Sequence, residues 1–216
     1  MAVQTVSAAR EEMLGRVRQA IADAEPPPDP CAEPAYRTTL ELSGAELLDL
    51  FAERVADYRA TVTRVTGDGV ASALADACRE HGAARLGVPA GFPDDGRPDG
   101  AELVEDDGLS TEQLDELDGA LTGCAVAIAE TGTIVLDGAA QSGRRALTLV
   151  PDLHLCVVEA EQVVGILPEA IERLEPAVRD GRPLTFVSGP SATSDIELIR
   201  VEGVHGPRTL HVVLVG

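Results

Sequence analysis

The chain has 216 residues, 44% of them apolar and only 2% aromatic, which is enough for one sizeable core built from Val, Leu, Ile and Ala. Its net charge of -20 comes from 37 acidic and 17 basic residues, and this negative field excludes nucleic acid and anionic membrane surfaces as favourable partners. The chain contains no Lys, which excludes Schiff-base chemistry through its own side chains.

No apolar run is long enough to span a membrane, because Glu130 interrupts the most hydrophobic stretch. The N-terminus lacks the basic-then-apolar layout of a signal peptide. We therefore expect a cytoplasmic protein without membrane insertion. The cysteines are scattered and never form Cys-x-x-Cys, so we expect buried, reduced thiols rather than a zinc site or an iron-sulfur cluster at Cys31, Cys78, Cys124 and Cys156.

The N-terminal region is predicted to be a helix from Ser7 to Asp23, with Ser7 as its N-cap. One face of this helix is apolar, with Met13, Leu14, Val17 and Ile21. The segment from Pro26 to Pro34 is too rich in proline to continue the helix and is typical of a stiff linker. Residues 1–36 are therefore predicted to form a helical arm and linker, and residues 37–216 one domain.

A second helix is predicted after Ser43, which has the spacing of a capping box with Glu46. Its apolar face comprises Leu47, Leu50, Phe51, Ala52, Val55 and Tyr58. A strand (61–65), a helix (70–81, ended by Gly82) and a strand (85–88) follow, which predicts a right-handed parallel crossover. The segment 89–100 is predicted to be a surface loop, and Ser110 with Gln113 to begin another helix.

The second half contains short apolar runs separated by turn residues, and these predict buried strands. The predicted strands are 125–129, 133–136, 147–150, 155–158, 184–187 and 210–215, with a helix at 168–178. Helices that alternate with Val/Ile/Leu-rich strands indicate an α/β fold with an open, mainly parallel sheet and helices on both faces.

Ligands bind at the carboxyl ends of strands in open α/β sheets, which directs attention to Glu130, Thr131, Gly132 and Thr133. Apolar segments flank Glu130, and such surroundings tend to raise the pKa of a carboxyl group and suit it to proton transfer or nucleophilic attack. The alternative is a turn carboxylate that accepts hydrogen bonds from backbone amides.

A second candidate follows the predicted strand 184–187. Gly189 permits close backbone approach, and Ser194 has the spacing of a capping box with Glu197. A helix N-terminus rich in hydroxyl groups favours a phosphate or a carboxylate, although the negative charge of Asp195 weakens that interpretation. The alternative is a capped helix without a ligand. The candidate ligand-binding residues here are Gly189, Ser191, Thr193, Ser194 and Asp195.

His205 lies between two glycines just before the final strand, which makes it a candidate acid, base or hydrogen-bond donor, or a loop histidine without a role. The sequence predicts no metal site, since no helical His-x-x-x-His pair occurs.

The segment Gly138–Gly143 has the glycine spacing of a P-loop, but Arg144 and Arg145 stand where Lys and Ser/Thr are required. Nucleotide hydrolysis is therefore not predicted. The turn instead presents two guanidinium groups, which either bind a carboxylate or pair with surface acids.

Four stretches taken together resemble the LUD-domain family, and within it the LutC/YkgG type. They are Ala127–Thr133, Arg144–His154, Ser188–Glu197 and Gly203–Pro207. The resemblance is dense from Gly123 to the C-terminus, whereas the first hundred residues match in layout only. It implies a fold like that of the NagB/RpiA/CoA-transferase group.

The resemblance also implies a role in oxidising L-lactate to pyruvate with two iron-sulfur partners, LutA-like and LutB-like proteins. The chain would then be a ligand-binding or auxiliary subunit without a cofactor of its own, bound to a small carboxylate or phosphate. Two alternatives stay open. One is an enzyme related to the CoA-transferases or acting on sugar phosphates, with Glu130 as its nucleophile, and the other is a non-catalytic metabolite sensor.

Overall fold

The structure, a computed structural model, describes residues 2–24, 36–193, 201–202 and 205–216. The chain divides into two compact units, Met1–Arg37 and Thr38–Gly216. The first unit contains helix α1 (Ala2–Asp23). The prediction that Ser7 caps this helix is wrong, because no Gly or Pro in residues 2–6 prevents the helix from starting earlier. The proline-rich segment lies outside the described residues.

The second unit contains the remaining helices and strands that the structure describes. The helices are α2 (Gly44–Asp57), α3 (Val70–His81), α4 (Thr111–Asp115) and α5 (Leu167–Arg179). The strands are β1 (Thr61–Val65), β2 (Arg85–Val88), β3 (Glu102–Glu105), β4 (Gly119–Thr122), β5 (Val126–Ile128), β6 (Thr133–Leu136), β7 (Leu153–Glu159), β8 (Val163–Val164), β9 (Thr185–Val187), β10 (Ala192–Thr193), β11 (Val201–Glu202) and β12 (Thr209–Val215). Among the helices described, none is both long and apolar enough to cross a bilayer.

Local sequence signals explain where three of these helices begin or end. Ser43 and Glu46 form the predicted capping box of α2, and Ser110 and Gln113 form that of α4. Helix α3 ends at Gly82, which has the left-handed conformation (φ 66°) that only glycine adopts without strain. The boundaries predicted for α2, α3 and α5 are confirmed to within one or two residues.

The main sheet has six strands in the order β1-β12-β7-β4-β2-β3, and every described pair is parallel. Its face toward α3 is lined by Leu155, Val157, Val213 and Val215. Its opposite face packs against Phe51 and Val55 of α2 and against β5 and β6 through Cys156, Val158, Val212 and Leu214. The predicted mainly parallel sheet with helices on both faces is therefore confirmed.

A second, four-stranded sheet in the order β8-β5-β6-β9 forms the next layer. Here β5 and β6 form an antiparallel hairpin, and α5 packs on the outer face through Ala170 and Leu174. A single sheet was predicted from the sequence. Three of the predicted strands, which correspond to β5, β6 and β9, instead belong to this second sheet. Only residues 129–132 connect β5 to β6, which is too short for the crossover of about a dozen residues that a parallel pair needs, so the two strands are antiparallel.

Other details of the predicted strands are wrong. Residues 147–150 form turns closed by hydrogen bonds from the Leu149 and Val150 amides to the Ala146 carbonyl (3.1 and 3.2 Å). Leu147 is fully buried, so the apolar run reflects packing of this turn rather than a strand. Strands β3, β4, β8, β10 and β11 were not predicted. Tyr58, assigned to the apolar face of α2, follows the helix and is 50% exposed.

The cysteines of the second unit lie in the core as expected, since Cys78, Cys124 and Cys156 are buried free thiols. A hydrogen bond with Cys156, together with burial, raises the pKa of the Cys124 thiol well above its usual value. Cys124 therefore stays protonated at neutral pH and is a poor nucleophile. Cys31 lies outside the described residues.

The β5–β6 turn packs directly against the backbone of α2. Gly132 has φ 58°, and a Cβ placed there would lie 2.6 Å from the carbonyl carbon of Arg54 and 2.7 Å from the amide nitrogen of Val55. A helix backbone cannot move aside as a flexible side chain would. Glycine is therefore required at this position for both its conformation and its size.

We expect Gly132→Ala to lower the free energy of unfolding by about 2–5 kcal/mol, since strain at positive φ and overpacking both contribute. Gly181→Ala is the matched control, because Gly181 has φ 68° but nothing within 4 Å of an added Cβ. That control should cost about 1–2 kcal/mol. Chemical denaturation measures both variants, and equal losses would show that the contact with α2 is unimportant.

His154 is a buried polar group between β4 and β7. It is 2% exposed, and its Nε2 lies 2.8 Å from the Thr122 hydroxyl. Burial lowers the pKa of His154 to about 4, and the positive charge of Arg145 acts in the same direction. The folded protein thus keeps this imidazole neutral at pH values where the unfolded chain, with an ordinary pKa near 6.5, takes up a proton.

This difference predicts that His154 destabilises the fold progressively as the pH falls from about 6.5 to about 4, by up to roughly 3 kcal/mol. The variant His154→Gln keeps a hydrogen-bonding side chain and removes this titration. As the pH falls from 7 to 4.5, we expect the wild type to lose more unfolding free energy than the variant His154→Gln does. A difference that does not change with pH would contradict the buried neutral state.

Candidate functional site

A cleft of about 270 Å³, called the Arg145 cleft, lies where the two sheets meet. One wall consists of β9 and the segment after it, and the other of the N-terminal ends of β7 and β12 with the loops that precede them. Its lining residues are Arg145, Thr148, His154, Thr185, Phe186, Val187, Ser188, Gly189, Pro190, Ser191, Ala192, His205, Gly206, Pro207 and Leu210.

Arg145 is the charged group of the cleft. Its Nη1 donates to the Thr148 carbonyl (2.9 Å) and its Nη2 to the His205 carbonyl (3.2 Å). Burial lowers the pKa of Arg145, but the guanidinium remains protonated at physiological pH. The buried Leu147 anchors the turn that carries Arg145, so the guanidinium is held between two loops rather than extended into solvent.

Two segments separated in sequence are joined at the cleft through Ser191. The backbone amide of His205 donates to the Ser191 hydroxyl (3.1 Å), and the Ser191 amide donates to the Pro207 carbonyl (2.7 Å). Gly189 has φ 117°, and a Cβ there would lie 2.7 Å from the Tyr58 Cβ, so glycine lets this segment pass close to the end of α2. The structure thus brings together the predicted residues Arg145, Gly189, Ser191 and His205.

A chain of hydroxyl groups leads from the β5–β6 turn to the rim of the cleft. The Thr131 hydroxyl lies 2.7 Å from that of Thr133, which in turn lies 2.7 Å from that of Ser188. Thr133 is buried, and a buried hydroxyl needs hydrogen-bond partners, which the Thr131 and Ser188 hydroxyls provide. Thr133 therefore contacts a lining residue of the cleft directly, whereas Thr131 is linked to it only through Thr133, and neither threonine lines the cleft.

Glu130 has a different environment from the one expected. It is exposed, its backbone amide donates to the Gly165 carbonyl (3.0 Å), and it is not among the residues that line the Arg145 cleft. The apolar strands on either side of Glu130 pack inward, so they do not bury it. The geometry therefore gives no support to attack by Glu130 on a ligand held by Arg145.

Arg144 lies away from the cleft, although it is adjacent to Arg145 in sequence. Its Nη2 and Nε donate to the two carboxylate oxygens of Asp106 (2.6 and 2.7 Å), whose side chain is only 1% exposed. This bidentate pair raises the pKa of Arg144. Two roles were considered for these arginines, binding a carboxylate ligand and pairing with an acidic side chain. Arg144 has the second role.

Some of the predicted residues lie partly or wholly outside the described residues. The backbone of Thr193 belongs to β10, which pairs antiparallel with β11. Ser194 and Asp195, together with the helix predicted to start there, lie outside the described residues.

Several residues of the cleft were not predicted as site residues, among them Thr148, His154 and Ser188. Thr148 and His154 belong to one of the stretches that carry the family resemblance, and Ser188 begins another. Their position within these stretches is the sequence signal that could have identified the three residues. Their side chains add two hydroxyl groups and a neutral imidazole to the cleft.

A second cavity of about 450 Å³, called the Gln141 cavity, lies at the carboxyl ends of β1, β4 and β7. It is lined by Gly67, Val70, Phe92, Pro93, Gly96, Gly123, Gln141, Val157, Glu159 and Gln162. The amide of Gln162 is already engaged, because it donates to the Cys124 carbonyl (2.7 Å) and accepts from the Glu159 backbone amide (2.8 Å). Of the lining residues described, the charged one is Glu159, so this cavity suits an anion less well than the Arg145 cleft.

Comparison with known proteins agrees with this architecture. The profile of the LUD domain matches residues 46–215. A protein of Deinococcus radiodurans named "Lactate utilization protein C" is 47% identical over 99% of this chain and 99% of its own length. The "Uncharacterized protein YkgG" of Escherichia coli is 27% identical over 92% of this chain and 94% of its own.

A crystal structure at 1.70 Å resolution, of a DUF162 family protein from Deinococcus radiodurans, aligns with a TM-score of 0.71 and 44% sequence identity. The alignment covers 82% of this chain and 100% of that one. The family profile covers most of the chain, including both sheets and the Arg145 cleft. This chain belongs to the LUD domain family.

Proposed function

We propose that this chain acts in the utilization of L-lactate in the cytoplasm, and that the Arg145 cleft binds a small carboxylate of that pathway. The observation that carries the proposal is the relative named lactate utilization protein C, which is 47% identical over 99% of both chains. The alignment spans 99% of both chains and therefore extends over the loops that form the cleft.

The chemistry of the cleft supports a carboxylate ligand. Within the described residues, Arg145 donates to carbonyl and hydroxyl oxygens of Thr148 and His205, which leave its positive charge without a carboxylate counterion. A guanidinium forms paired, charge-assisted hydrogen bonds with a carboxylate. The hydroxyls of Ser188 and Thr148 offer further hydrogen bonds suited to a 2-hydroxy or 2-oxo group.

The size of the cleft also favours a small acid. At about 270 Å³ it lies below the range of roughly 300–1,000 Å³ typical of sites for drug-sized ligands. Lactate and pyruvate fit such a volume, whereas coenzyme A is far larger. The volume therefore supports a small organic acid over an acyl-CoA as the ligand of this cleft.

Within that role, the chain serves as a ligand-binding or auxiliary subunit beside LutA-like and LutB-like iron-sulfur proteins. Oxidation of a 2-hydroxy acid releases two electrons, which need an acceptor. The four cysteines are too widely spaced in sequence to resemble the close-spaced ligand sets of iron-sulfur clusters. This pattern supports electron transfer in partner proteins and binding or assembly in this one.

Arg145→Gln should weaken the binding of L-lactate and pyruvate by about 10- to 100-fold, because a charge-assisted hydrogen-bonded pair contributes about 1.5–3 kcal/mol. Isothermal titration calorimetry with L-lactate, pyruvate and inorganic phosphate measures the affinities. Arg85→Gln is the matched control, since Arg85 forms an exposed ion pair with Glu102 of the edge strand β3 and does not line the cleft.

The control should bind all three anions as the wild type does and unfold within about 1 kcal/mol of it. Tight binding of phosphate alone would redirect the proposal to a phosphorylated ligand. Equal affinities of Arg145→Gln and the wild type for lactate and pyruvate would rule out the Arg145 cleft as their site.

Loss of the gene should abolish or strongly slow growth on L-lactate as the carbon source, in a strain without a second copy. We expect plasmid-borne wild type and Arg85→Gln to restore growth and Arg145→Gln to restore it poorly at equal protein level. Growth rates on L-lactate and on glucose, compared in the same strains, separate a pathway defect from a general one.

The same strains test the auxiliary role. A tagged chain should copurify with proteins that contain iron-sulfur clusters, detected by iron and sulfide analysis, and the isolated chain should not oxidise lactate with an artificial electron acceptor. Normal growth on L-lactate without the gene would refute the pathway assignment, and oxidation by the isolated chain would refute the auxiliary role.

A further inference from the structure

A cluster of two imidazoles and one carboxylate lies on the α3 face of the main sheet, apart from the Arg145 cleft. His211 is on β12 and is 2% exposed, His81 is half-buried at the end of α3, and Glu80 beside it is exposed. One nitrogen or oxygen atom from each of the three side chains lies within 4.8 Å of the others. The two histidines are 130 residues apart in sequence.

The spacing of the two imidazole nitrogens is close to that of a tetrahedral metal site. His81 Nε2 and His211 Nδ1 are 3.1 Å apart, and the two rings are nearly perpendicular (89°). Two nitrogens bound to one Zn²⁺ at about 2.0–2.1 Å in tetrahedral geometry lie about 3.3–3.4 Å apart. A displacement of a few tenths of an ångström would therefore accommodate the ion between the rings.

The other nitrogen of His211 has the partner that a ligating histidine usually has. Its Nε2 lies 2.9 Å from the Thr63 hydroxyl on the neighbouring strand β1. In the tautomer that donates from Nε2 to Thr63, the lone pair of Nδ1 points toward His81. Ligating histidines are commonly fixed in this way by an acceptor on the second nitrogen.

From this geometry we propose that Glu80, His81 and His211 bind one first-row divalent cation, with Zn²⁺ as the ion that fits best. Zn²⁺ binds both imidazole and carboxylate well, whereas Mg²⁺ prefers oxygen ligands and is poorly suited to a site with two imidazoles. A cavity of about 420 Å³ beside Glu80 and His211 leaves a fourth position for water or an exogenous ligand.

The ion would join the end of α3 to the centre of the main sheet. His211 lies on a central strand, whereas Glu80 and His81 are the last two residues of α3. The cation would also offset part of the net charge of -20. Binding to the folded state alone stabilises it, so the melting temperature should rise with the concentration of Zn²⁺.

The test uses the full chain, stripped of metal with a chelator and titrated with Zn²⁺ against a competing indicator dye and with Co²⁺ by visible absorption. We expect one ion per chain and a d–d absorption band of Co²⁺ in tetrahedral or five-coordinate geometry. His81→Asn should weaken binding by more than the roughly 10- to 100-fold that loss of an outer-shell partner costs. His205→Asn removes an exposed histidine elsewhere and should leave the affinity unchanged.

We expect the variant Thr63→Val to fold, because Val favours strands and nearly matches Thr in shape. It removes the partner of His211 and should weaken binding about 10- to 100-fold. An absence of stoichiometric binding at micromolar Zn²⁺ would overturn the proposal. So would affinities that do not change in His81→Asn and Thr63→Val, or binding that is lost in His205→Asn instead.

Discussion

The parallel pairing of β7 with β12 in the interior of the main sheet is the constraint on which the rest of the second unit depends. Each strand has seven residues, and their side chains are buried on both faces. Every fully buried Val or Leu contributes about 1.5–3 kcal/mol, whereas an exposed ion pair contributes at most about 1 kcal/mol. Both faces must therefore be covered by apolar layers, and α3 covers one while α2 and the second sheet cover the other.

The sequence predicted those parts of the fold whose signals are local. The capping boxes of α2 and α4 and the Val-rich strands were predicted because caps and apolar runs act over a few residues. Strand β4 was missed because Gly119 and Ala120 lack β-propensity and become a strand only through their neighbours β2 and β7. The opposite error occurred at residues 147–150, where a strand was predicted but the structure has a turn. The apolar run there reflects tertiary packing that buries Leu147.

The candidate site follows the same division. Ser191 was predicted as a hydroxyl group near a helix N-terminus and His205 as a loop histidine between glycines, and the hydrogen bond between them is tertiary. The sequence cannot tell which of Arg144 and Arg145 enters the cleft, because the answer depends on Asp106, which lies 38 residues from Arg144. Likewise, the pairing of His81 with His211 depends on how α3 crosses the sheet. Of the glutamate turn and the strand after it, Thr133 contacts Ser188 at the cleft, whereas Glu130 does not line the cleft.

The Arg145 cleft has one wall in each sheet, with Thr185 and Val187 on β9 and with His154 and Leu210 on the main sheet. A ligand that contacts both walls must be released before the two layers can separate. Each tenfold excess of ligand over its dissociation constant therefore adds about 1.4 kcal/mol to the work of parting them. An occupied cleft would thus hold the two layers together more firmly than an empty one.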